Sequence, residues 1–174
     1  MAKLTAHSEF QDHASLFMSS ATLSAVLRHA QSSYPDECCG LLIGTVDSKQ
    51  WHCTSNWPAT NAWSPDLDLP DLGLRSEANK HSQRDRYWID PAELLQAQRK
   101  ARQQQHAIIG VYHSHPDHVA VPSATDRHYA WPDYSYLIIA VRNSRVVDYD
   151  AWILDRDQQF TCQRLIRSDR SSTH

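Results

Sequence analysis

The sequence predicts an α/β domain in which a mixed β-sheet is sandwiched by helices. Three observations carry that expectation. Short apolar runs rich in β-branched and aromatic residues recur at 38–46, 107–112, 135–141 and 147–154, the composition of buried strands. Among them lie two longer stretches, 20–32 and 92–105, with apolar residues at helical spacing and helix-start signals at their heads. The length, 174 residues, suits one hydrophobic core.

Taken in order, the first helix, 20–32, turns Leu23, Val26 and Leu27 toward a sheet face. Strands at 38–46 and 50–56 follow as a pair joined by Asp47-Ser48-Lys49, with Leu41, Leu42 and Ile43 in the core and His52 facing solvent or a cross-strand neighbour. Residues 57–84 break the pattern. They carry several prolines, the acidic Asp66, Asp68 and Asp71, and a basic and polar stretch around Lys80 and Arg84. A segment this long inside a compact domain reads as an insertion beside a site, with Trp57 and Trp63 as aromatic anchors that hold substrate and take no part in the chemistry. Residues 86–90 read as a short strand, and Asp90 caps a second helix opened by Pro91, with Leu94, Leu95 and Ala101 inward. The continuous apolar 135–141 is a strand buried on both faces. Asn143-Ser144 is a turn, and 147–154 with 159–166 end the sheet as a hairpin. The expected domain is therefore 19–166, with flexible ends at 1–18 and 167–174.

Composition narrows the function class. A net charge of −3 provides no basic footprint for nucleic acid, and no apolar run approaches a membrane span. Residues 1–18 lack the apolar segment of a secretory signal, which points to the cytoplasm. Four cysteines, two of them adjacent, make no disulfide framework and no C-x-x-C pair. Cys38, Cys39, Cys53 and Cys162 are read as small apolar core residues.

The chemistry concentrates in residues 113–126. His113 and His115 follow a buried strand at alternate positions, so both point to one face roughly 6.7 Å apart, close enough for their rings to tilt onto one metal ion. Past a turn-rich loop, Ser123 and Asp126 share one face of a short helix, and Asp126 completes a His2Asp set. Three protein ligands with a fourth position for water is the arrangement of a catalytic zinc site, although the same donors accept Fe²⁺ or Mn²⁺. Ser123-Ala124-Thr125-Asp126 also fits a capping box, a purely structural reading of the same residues. His113, His115, Asp117 and His118 further spell H-x-H-x-D-H, the metal signature of the metallo-β-lactamases, but the downstream ligands of that fold are missing. So are H-E-x-x-H and the zinc-deaminase signature. A metal hydrolase needs a carboxylate base, and Glu37 supplies one where a turn enters the strand Cys39-Gly40-Leu41-Leu42-Ile43-Gly44.

With these pieces the sequence resembles the JAMM/MPN metallopeptidase family. The resemblance rests on Glu37 before Cys-Gly-Leu-Leu-x-Gly, and on His113-Ser114-His115-Pro116 with Ser123-x-x-Asp126 seven positions further on. The run through Trp131-Pro132 and Tyr134-Ser135-Tyr136 is most similar to the compact bacterial branch that acts on ubiquitin-fold sulfur carriers. The resemblance implies a cytidine-deaminase-like α/β/α sandwich and a Zn²⁺ ion on His113, His115 and Asp126. It implies Glu37 as general base, Ser123 as a donor to the oxyanion, and His118 at the mouth of the site. The implied reaction cuts the amide or isopeptide bond after the C-terminal Gly-Gly of such a carrier, releasing an amino acid or a lysine amine. Two other classes stay open: a non-catalytic module that binds ubiquitin-like proteins, and a non-haem iron oxygenase with a 2-His-1-carboxylate centre. A homodimer is also left open.

Overall fold

The computed structural model describes residues 14–67, 81–155 and 157–168, so the acidic Asp68 and Asp71, Lys80 and the outermost ends lie outside the described residues. Seven strands and three helices follow in the order β1 (Ser15–Ser19), α1 (Ser20–Ser33), β2 (Cys39–Asp47), β3 (Gln50–Ala59), α2 (Pro91–Gln103), β4 (Ala107–Pro116), α3 (Ala124–Tyr129), β5 (Ser135–Arg142), β6 (Arg145–Leu154) and β7 (Phe160–Ser168).

The sheet is mixed, as expected, but it closes. Its strand order is β1-β3-β2-β4-β5-β6-β7, and β1 pairs in parallel with both β3 and β7 to seal the ring. Of the ends expected to be flexible, 1–18 and 167–174, the stretches 15–18 and 167–168 instead belong to paired strands. Leu16 and Met18 are fully buried. Five residues are too few for a periodicity to stand out, and their strand character comes from partners far along the chain. Residues 86–90, expected as a strand, belong to no ladder.

The expected turns at 47–49 and 143–144 and the hairpin of β6 and β7 form where the sequence placed them. Ser48 and Lys49 between β2 and β3, and Asn143 and Ser144 between β5 and β6, all take positive φ, the conformation that two-residue hairpin turns require. Ser19 caps α1 by accepting from the Thr22 N–H at 3.0 Å, and Asp90 caps α2 by accepting from Ala92 N–H at 2.7 Å with Pro91 behind it.

Helices cover both faces of the sheet. On one, α1 sends Leu23, Val26 and Ala30 into a core with Leu16, Leu42, Tyr112 and Leu137. On the other, α2 sets Ala97 and Ala101 against Leu41, Ile43 and Ile108. One irregularity decides the geometry of the site. Leu42 pairs with Gly110 and Ile43 with Ile108, so the β2–β4 register skips Ile109. That bulge resets the alternation of β4. Ile109 and Tyr112 face the α1 core while Val111 faces the α2 side, and the histidines that follow take their faces from this reset. Gly40, opposite Tyr112 in the ladder, has no room for a side chain: a Cβ there would lie 2.3 Å from the tyrosine ring.

Candidate metal centre

His113 and His115 stand at the end of β4, two residues apart on one face. Their Nε2 atoms approach to 3.0 Å, with ring centroids 4.9 Å apart, and the Asp126 carboxylate reaches them from α3. Its Oδ1 lies 3.2 Å from His113 Nε2 and its Oδ2 lies 3.5 Å from His115 Nε2. One donor atom from each residue lies within 4.8 Å of the others, a group fit to hold one metal ion.

The surrounding hydrogen bonds favour that use. His115 Nδ1 lies 2.9 Å from the Val119 carbonyl, which can only accept, so the ring hydrogen sits on Nδ1 and the Nε2 lone pair faces the centre. His113 is fully buried and stacks on Tyr87 at 4.7 Å, and its Nδ1 has no hydrogen-bond partner among the described residues. Burial lowers the His113 pKa against the pull of Asp126, which favours the neutral ring a metal needs. Asp126 is opposed by burial, yet His113, His115 and Ser123 together hold its carboxyl well below the usual range. Without an ion a ring proton bridges these groups to the carboxylate, and a cation held among them would take that proton's place.

Ser123 and Asp126 form the capping box as well. Ser123 N–H donates to Asp126 Oδ2 at 2.6 Å, and Ser123 Oγ accepts from Asp126 N–H at 3.1 Å. The structural and the metal-site readings are thus one device: the cap fixes the carboxylate beside the histidines. The bond leaves the Ser123 hydroxyl hydrogen free to donate elsewhere.

Glu37 lies just before β2, 7% exposed, on the wall of the same cavity as His115, Ser123 and Asp126. Burial first, then the Asp126 charge, push its carboxyl up to about 9, with Arg86 pulling the other way. Its main chain is held from two sides. Glu37 N–H donates to the Gln83 carbonyl at 2.7 Å, and Asn61 Nδ2 donates to the Glu37 carbonyl at 3.0 Å. The next residue is tied to the metal strand, since Ser114 Oγ accepts from Cys38 N–H at 2.8 Å and Ser114 N–H donates to the Cys38 carbonyl at 3.1 Å. Ser114, between the two histidines, therefore ties the chain next to Glu37 to the histidine strand from the opposite face.

The cavity, about 1040 Å³, also takes in Trp63 and His118. Trp57 is a correction. It lies in β3 against α2, donates from Nε1 to Glu93 at 3.2 Å and has Lys100 over its ring, and it does not line the cavity. The strand runs three residues further than expected, and a strand residue faces whatever helix packs over it. Cys162 is a second correction, exposed on β7 where a core position was expected, while burial drives the Cys38 thiol up to about 12 and Cys39 higher still.

Residues 19–155 match the family described as prokaryotic homologs of the JAB domain. The chain belongs to that family. It is a JAB-type peptidase, and the relatives it matches include a desampylase and a CysO-cysteine peptidase. It is 32% identical over 119 residues to the desampylase of Haloferax volcanii, covering 66% of this chain and 72% of that one. It is 26% identical over 122 residues to the CysO-cysteine peptidase of Mycobacterium tuberculosis, covering 70% of each. A solution structure from Salinibacter ruber matches with a TM-score of 0.63 and 29% identity over 92% of this chain and 95% of that one. Another, from Desulfitobacterium hafniense, shares the fold with a TM-score of 0.71 at 24% identity, over 90% of this chain and 95% of that one.

For this JAB-domain protein, sequence reasoning missed Asn61, Gln83 and Arg86, which come from irregular chain and carry no periodic signal. It also passed over Ser114, although strand alternation places that residue opposite the two histidines.

Proposed function

We propose that the protein is a zinc-dependent hydrolase that cuts the amide bond after the C-terminal Gly-Gly of a ubiquitin-fold sulfur carrier. The observation that carries this reading is the presence of Glu37, His115, Ser123 and Asp126 on one cavity wall, with His113 behind them. His113, His115 and Asp126 would hold the ion. The chemistry a bound Zn²⁺ supplies there is acidification of a water and polarisation of the scissile carbonyl. Glu37 takes the proton of the attacking water and delivers it to the leaving nitrogen as the carbon–nitrogen bond breaks, so a carboxylate and an amine leave. The Ser123 hydroxyl donates to the carbonyl oxygen as negative charge grows there.

An extended tail suits the cavity. Residues 86–89 line it, with the Arg86 carbonyl and Trp88 N–H turned inward to Asn61 and the Trp88 carbonyl taken by Ala62 N–H at 2.9 Å. The alternate residues Tyr87 and Ile89 have no main-chain partner among the described residues, which leaves an edge that an added strand can pair with. Glycines beside the bond let a backbone approach the buried histidines without a Cβ clash. The relatives named desampylase and CysO-cysteine peptidase support a protein conjugate as substrate. Four free thiols support a cytoplasmic setting.

The test is direct. Zinc-loaded protein incubated with a carrier bearing one amino acid after Gly-Gly should release that amino acid, read by mass. Replacing the penultimate glycine with a bulky residue should abolish release. Equal cleavage of both forms, or of unrelated unfolded peptides, would establish a general peptidase instead.

A further inference from the structure

We propose that Arg86 forms a subsite for a free carboxylate on the leaving side of the scissile bond, so that the enzyme prefers conjugates of an α-amino acid over lysine isopeptides. The inference rests on the hydrolase reading and deepens it.

Arg86 is placed beside the base by a shared clamp. Asn61 Nδ2 donates to the Glu37 carbonyl at 3.0 Å and to the Arg86 carbonyl at 2.9 Å, so one amide group brings the two main chains together at the cavity wall. Its guanidinium is aimed by two neighbours. Arg86 Nη2 lies 3.1 Å from His81 Nε2, and since arginine only donates, the His81 ring hydrogen sits on Nδ1 and bonds the Asp85 carboxylate. Arg86 Nη1 donates to the Asp85 carbonyl and lies 3.7 Å from Asp85 Oδ2. These bonds use two of the five N–H groups a guanidinium carries, and the others have no partner among the described residues. The side chain is 23% exposed, held firmly yet open to the cavity.

Arg86 is the one lysine or arginine among the described residues of that wall, which otherwise carries Glu37, Asp66, Asp85 and Asp126. Among the described residues of the wall, an anionic group entering the cavity therefore meets one permanent cation besides the metal centre. The reaction says where the anion must be. Glu37 returns a proton to the leaving nitrogen, so that nitrogen comes within hydrogen-bond reach of Glu37. In an α-amino acid the carboxylate hangs from the same carbon as that nitrogen, and so it arrives beside Glu37, where Arg86 sits. In a lysine isopeptide four methylenes separate the nitrogen from the backbone, and the backbone carboxyl is consumed in a peptide bond. A fork of guanidinium donors matches a carboxylate in two parallel bonds, which a neutral amide cannot return.

The experiment compares the zinc-loaded protein on three conjugates of one carrier: Gly-Gly-cysteine with a free carboxylate, the same with a carboxamide, and a lysine isopeptide. The free acid should have a KM at least about 10-fold lower than the amide, the size expected for losing a charge-assisted pair. R86Q should raise the KM for the acid to that of the amide, and R86K should restore part of the gap. In parallel, binding of the peptides Gly-Gly-Cys acid and amide to zinc-loaded E37Q is measured by calorimetry. If the conjugates are cut without any preference for the acid, the subsite is refuted and the hydrolase stands. If no conjugate is cut but the acid peptide binds more tightly and R86Q removes the difference, the subsite stands and the hydrolase reading falls. If R86Q slows acid and amide alike, Arg86 positions Glu37 and binds no carboxylate.

Discussion

Glu37 and Ser114 are the single side chains on which the proposed chemistry is tested first. Glu37→Gln keeps the shape of the base and loses its function, so zinc should stay bound while turnover falls by roughly 10² to 10⁴. Metal analysis beside steady-state rates checks both halves. The same substitution has a second signature in the metal-free protein. Burial and the Asp126 charge raise the Glu37 carboxyl from 4.5 to about 9, so its contribution to stability is complete below pH 4.5 and drains away as the pH climbs toward 9. The slope is about 1.4 kcal/mol per pH unit while the folded state alone keeps the proton. Metal-free E37Q should lose less stability than wild type between pH 5 and 8 in urea titrations, and parallel profiles would contradict it. Ser114→Ala strands the buried Cys38 N–H next to the base, which should cost about 1–3 kcal/mol and lower kcat with the metal still bound. The reach of sequence reading at this scale is uneven. His113, His115, Asp126 and Glu37 are legible because their types and spacings are rare together, whereas Asn61 and Arg86 are ordinary residues whose importance comes from where irregular chain happens to run.

At the scale of elements, β1 and the ends of the insertion depart most from expectation. β1 is a five-residue strand that pairs with β3 and β7, and its Leu16 is fully buried. Leu16→Ala should cost about 2–5 kcal/mol, measured by denaturant unfolding. A flexible end would show no loss. The insertion was expected to hold substrate without touching the chemistry, yet Asn61 and Gln83 at its two flanks bond the main chain of Glu37. Asn61→Ala should therefore lower kcat by about 10- to 100-fold, since a base displaced by about 1 Å can cost that much. An effect confined to KM would return the segment to a binding role.

The whole molecule holds its candidate metal ligands on a frame built from other contacts. His113 and His115 extend a strand paired on both sides, and Asp126 is fixed by its own cap, while the closed sheet wraps α1 in a core of aliphatic and aromatic residues. Stripping the metal with a chelator should abolish turnover but leave far-ultraviolet circular dichroism and cooperative unfolding in place, unlike small zinc modules that unfold without their ion. Loss of folded signal on chelation would show that the centre holds the barrel together. What the sequence determined by itself is what local chemistry and short periods encode: the hairpin turns, the helix caps, the apolar strands and the ligand spacing of 113–126. The tertiary structure alone decided the closure of the sheet, the bulge at Ile109 and the path of the insertion flanks past Glu37. A continuous apolar run such as 107–112 is silent about which residue faces which side, because 108, 109, 110 and 112 are buried whichever face they take. Only pairing with β2 skips Ile109, and that skip turns Tyr112 into the core and the two histidines toward Asp126.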